Sequence, residues 1–128
     1  MNLQDFAYIV ETDKTFDEAV VAVLKAVEQK GWSIFQIYDI KERLAAKGFE
    51  HKPLKIIEIC SGKHAHAFLT KNRLISLCLP CKINVVQEEK VRIASMKPSI
   101  IPQFFSEISP EEAAAAEKDL KEIVDGAR

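Results

Sequence analysis

"ISLCLPCKINVVQEEKVRIASM", residues 75 to 96, decides the fold. It holds three runs rich in β-branched and apolar residues: Ile75–Leu79, Lys82–Gln87 and Val91–Met96. Glu88, Glu89 and Lys90 form a tight polar turn between the last two. The reading is three consecutive strands. On strand alternation, Ser76 and Cys78 face one way, while Ile75, Leu77 and Leu79 face the other.

Working outward, Phe6 to Thr12 has the aromatic and β-branched content of a strand. Thr15 and Glu18 then form a capping box for a helix that carries Phe16, Ala19, Val20, Val23, Leu24 and Val27 on one face and stops at Gly31. "WSIFQIYD" reads as a second strand. Asp39 and Glu42 start a short helix that Gly48 ends, and Pro53 forces extended backbone into the strand "LKIIEIC". Ser61 caps about two helical turns, Lys63 to Thr70. Ser109, Pro110 and Glu112 open a last helix with Ala113, Ala116, Leu120, Ile123 and Val124 on its buried face, ending near Gly126. Successive strands flanked by long helices predict an α+β fold: one domain over residues 1–128, with a curved, mainly antiparallel sheet and helices packed on one face.

The 128 residues suffice for one core without staples. With 48% hydrophobic and 29% charged residues the chain is globular in composition, not disordered. Its 18 basic residues against 19 acidic leave no net field to draw it onto nucleic acid or an anionic membrane. No apolar run reaches the roughly 20 residues of a membrane span, and the start lacks the features of a signal peptide. These features predict a soluble, cytoplasmic protein with three free thiols, since an odd number of cysteines makes a poor disulfide framework.

Cys60 lies where a strand gives way to a helix. A thiol there feels the partial positive charge of unpaired amides, which favours the thiolate; the alternative is a small hydrophobe ending a strand. Cys78 and Cys81 have C-x-x-C spacing, yet strand patterns flank both, unlike a redox pair opening a helix. Cys78 reads as strand packing. Cys81 follows Pro80, at a break that can aim its side chain out of the sheet. His66 is as suited to packing or capping as to proton transfer, and His64 reads as solvated or as an electrostatic neighbour of Cys60. Glu58 shares a strand face with Cys60 and is either a base or the partner of a lysine.

A zinc site would recruit Cys60, His64, His66 and Cys81 or Cys78. On a helix, however, the two histidines project about 200° apart, so they do not share an ion. No phosphate loop, nucleophile elbow or paired-carboxylate motif is present, so neither a metal nor a nucleotide cofactor is expected.

Leu54 to Pro98 resembles the signature of the bacterial and archaeal family known as domain of unknown function 302. The matching positions are Cys60 at the end of an isoleucine-rich strand, Ala65, His66 and Leu69 in the short helix, the step Leu79, Pro80, Cys81, the strand Ile83 to Val86, and Pro98. The preceding Thr15 to Gly48 resembles the family's amino-terminal helix, strand and short helix. Ser61 and Gly62 replace the asparagine and proline common in that family, and His64 and Cys78 stand where it carries apolar residues. The resemblance implies a fold like that of the TATA-binding protein, β-α-β(4)-α, and no assigned activity. Fold alone does not carry DNA binding here.

Three functions remain on the page. The first is a thiol site, Cys60 with Cys81, served by His66 and more weakly by Glu58, acting on a small thiol, sulfur species or electrophile. The second is a non-catalytic module that binds a small apolar molecule, or a second copy as a homodimer, on the sheet. The third is a metal site.

Overall fold

A computed structural model describes residues 1–128. Along the chain run α1 (Leu3–Phe6), β1 (Ala7–Thr12), α2 (Phe16–Lys30), β2 (Ser33–Asp39), α3 (Ile40–Ala45), β3 (Leu54–Cys60), α4 (Gly62–Lys71), β4 (Cys81–Gln87), β5 (Val91–Met96) and α5 (Pro110–Ala127). Two 3₁₀ segments, Arg73–Leu77 and Pro98–Gln103, complete it. The five strands make one sheet in the order β1-β5-β4-β3-β2, antiparallel throughout. The fold is α+β.

Local signals set the long helices. At α2 the Thr15 hydroxyl accepts from the Glu18 N–H and the Glu18 carboxylate accepts from the Thr15 N–H, while Gly31 closes the helix at φ 82°. Ser109 and Glu112 form the same reciprocal cap at α5, with Pro110 at its first position. Each cap satisfies amides that the helix itself leaves open.

Both helices bury their apolar stripes against one sheet face. There they meet Val10, Ile57, Ile59, Ile83, Val85 and Ile93, and each of the four isoleucines is fully buried. Burial of one such side chain stabilises the fold by about 1.5–3 kcal/mol. The alternate residues, among them Ile56, Lys82, Asn84, Arg92 and Ala94, point to the other face and retain partial or full exposure. A second apolar cluster, built on Phe68, Ile75, Ile100, Ile101, Ile108 and Ala116, joins α4, both 3₁₀ segments and the start of α5.

One expected strand is absent. Ile75–Leu79 belongs to a 3₁₀ turn, capped by Asn72, whose side chain accepts from the Leu74 N–H at 2.9 Å. Alternation would place Ile75 and Leu77 together, but Ile75 is 0% exposed and Leu77 82%. Burial follows a spacing of three instead: Ile75 belongs to the second cluster and Cys78 packs against it. Cys78 is thus packing, though not in a strand. The five remaining strands give the β-α-β(4)-α order.

Candidate functional site

The Leu79–Pro80 peptide is cis, and from it the chain turns directly into β4. The register pairs Cys81 with Ile59, which places Cys60 one residue further along the neighbouring strand. Cys60 and Cys81 line one cavity of about 20 Å³, together with Ser61, His64, Trp32 and Phe68. That space is about the size of one water molecule.

His64 enters the cavity because α4 presents Ser61, His64, Ala65 and Phe68 on one face, the spacing of a helical stripe. Its ring is tilted against those of Trp32 and Phe68, with centroids 6.0 Å and 6.5 Å away. Nε2 stands 2.8 Å from Asp119 Oδ2 of α5. A carboxylate only accepts, so Nε2–H is the donor of this hydrogen bond. Asp119 also pairs with Lys30 at 3.3 Å, and Lys30 with Glu122. The His64 hydrogen bond, with Lys30 in support, holds the Asp119 carboxyl below its ordinary range.

His66 and Glu58 stand apart from this cavity. His66 projects from the other side of α4 and is exposed. Glu58 Oε1 accepts from the Tyr38 hydroxyl at 2.7 Å on the face away from α2 and α5. The histidine beside the thiols is therefore His64, although the family resemblance pointed to His66. The Ser61, His64, Phe68 spacing was the signal available in the sequence.

All three cysteines are free. Burial pushes the thiols of Cys60 and Cys78 up. It pushes Cys81 up to about 11, with further upward contributions from Cys60 and Cys78. At Cys60 burial opposes the thiolate, and the side chain of Ser61, not the thiol, accepts the His64 N–H at the start of α4. No three His, Cys, Asp or Glu side chains gather as a metal-ligand set.

A larger cleft of about 290 Å³ opens on the other side of the Leu79–Cys81 segment, where the less covered face of β4 and β5 meets the end of the first 3₁₀ turn. Cys78 and Cys81 both lie in its wall, as do Leu77, Ala94 and Met96. The polar residues in the wall are few. Ser95 is occupied, its hydroxyl donating to the Lys82 carbonyl at 2.6 Å. Asn84 is not: its Oδ1 is buried without a hydrogen-bond partner. The chain has no helix long and apolar enough to cross a membrane.

Fold and site together define a two-layer α+β protein whose three thiols converge on a cavity and an adjoining apolar cleft. The chain belongs to the family described as "Domain of unknown function DUF302", whose model matches residues 8–127. It is similar to an uncharacterised conserved protein of that family from Bacillus stearothermophilus, known from a crystal structure, with 28% identity and a TM-score of 0.88 over 96% of this chain and 98% of that one. No curated protein matches it.

Proposed function

We propose that the chain is a binding module for a small, largely apolar molecule held in the cleft between β4, β5 and the Leu77–Pro80 segment. The observation that carries this reading is Asn84 Oδ1, a buried acceptor with no partner in the wall of an otherwise mainly apolar cleft. Leaving such an atom unpaired costs about 1–3 kcal/mol, so its retention has a use when a ligand or a turn of the amide satisfies it. A concave apolar site with a few unpaired polar groups is the usual form of a small-molecule site, and 290 Å³ lies at the small end of that range.

The test uses the neutral fluorophore N-phenyl-1-naphthylamine with the intact chain and with Ala94→Phe, which fills the cleft from β5. Saturable binding to the intact chain, lost in a variant with an unchanged circular dichroism spectrum, supports the reading. No saturable binding, or equal binding to both proteins, overturns it.

His64 favours a second reading, a thiol site in which Cys60 reacts with a small sulfur species or electrophile, Cys81 assists, and His64 takes the proton. Its Nε2 is fixed by Asp119, and it shares a cavity with both thiols. This reading stands second because the thiols are pushed up, away from the thiolate it requires.

A further inference from the structure

We infer that the ligand of this cleft carries an anionic group, a carboxylate on an apolar body, and that Lys82 is the residue that selects for it. The inference rests on the binding role proposed above and adds the ligand's chemical class. Lys82 is the one charged side chain among the residues lining the cleft, and no carboxylate lines it. It is exposed and takes no part in the chain's ion pairs. Glu58 stands across from it in the strand register, but on β3, outside the cleft lining, with its carboxylate engaged by Tyr38.

Lys82 and Asn84 are two residues apart on the same face of β4, about 6.6 Å along the strand. The Lys82 ammonium donates to a carboxylate oxygen, whereas the unpaired Asn84 Oδ1 is itself an acceptor, so Lys82 alone carries the selection for an anion. Phe6, Leu77 and Met96 supply apolar surface for the body of the molecule. A cationic ligand would face Lys82 with no acid to receive it. A neutral one would leave the ammonium unused.

Octanoate and octanamide, equal in chain length and different in charge, test this by calorimetric titration at neutral pH and low salt. The intact chain should bind octanoate about fivefold more tightly, the scale of a partly exposed ion pair. Lys82→Met, with an unchanged circular dichroism spectrum, should bind both alike. Equal binding of the two by the intact chain, or a preference that survives in Lys82→Met, overturns the inference and leaves the apolar cleft standing. Uptake of the fluorophore with neither octyl compound bound also overturns it. Failure of all three probes removes the binding role itself.

Discussion

His64 Nε2 lies 2.8 Å from Asp119 Oδ2, and this contact ties the helix after the first cysteine to the carboxy-terminal helix. Lys30 reaches the same carboxylate, so α2, α4 and α5 meet at one charge cluster beside the thiols. Asparagine keeps a side-chain oxygen for the Nε2–H but removes the charge that the imidazole and Lys30 share. Asp119→Asn is expected to lower stability by about 1–2 kcal/mol, measured as the urea midpoint at neutral pH. The pH dependence follows from the depressed Asp119 carboxyl. Its contribution is fully present above the unfolded value of about 3.9 and is lost as pH falls through the lower folded value. The intact chain should therefore lose stability in acid more steeply than Asp119→Asn. Parallel curves would show that the contact contributes nothing.

The thiols provide a second measurement. All three are pushed up, Cys81 furthest, to about 11. Alkylation by iodoacetamide should be slow at pH 7 for every cysteine and accelerate only above pH 9, with Cys81 last, resolved by peptide mass spectrometry. A Cys60 modified rapidly at pH 7 would restore the activated thiolate and place the thiol reading first. Stability should also fall as pH rises past about 8.5, because the unfolded chain releases thiol protons that the folded chain holds.

The two sides of the first 3₁₀ turn should respond unequally. Ile75→Ala removes a fully buried side chain from the second cluster and should cost about 2–5 kcal/mol in chemical denaturation. Leu77→Ala removes one that is 82% exposed and should change stability by less than about 0.5 kcal/mol. Comparable losses would indicate that the two side chains share a face, as in a strand.

That turn marks the limit of what the sequence reveals. The caps at Thr15 and Ser109, and the hairpin around Glu88–Lys90, are written in neighbouring residues, so the long helices and the β4–β5 pairing were legible. Ile75–Leu79 was not, because a five-residue apolar run fits a strand and a 3₁₀ turn equally well, and only the second cluster decides between them. Cys60 and Cys81 stand out as a candidate pair in the sequence and in the family pattern, but that they lie on adjacent strands emerges only from the β3–β4 register. The pairing of His64 with Asp119 spans 55 positions and joins two helices that local pattern does not relate, so the choice of histidine went to His66. Asn84 sits at a polar position of an alternating strand and looks like any solvated residue until its buried oxygen is seen.

Asn84 yields the last expectation. Replacing it with leucine removes an unsatisfied buried acceptor and adds apolar surface beside Ala94 and Ile56, its cross-strand neighbours. Asn84→Leu should therefore raise stability, by about 1–2 kcal/mol in urea denaturation, an uncommon sign for a substitution in a central strand. If the amide oxygen serves a ligand's donor, the same variant should lose affinity for octanamide, whose N–H groups can donate to Oδ1, more than for octanoate. A gain in stability together with that loss of octanamide binding would show that the chain retains a destabilising residue for recognition. A loss of stability would mean that the amide is satisfied in solution, and that its oxygen is no sign of a binding site.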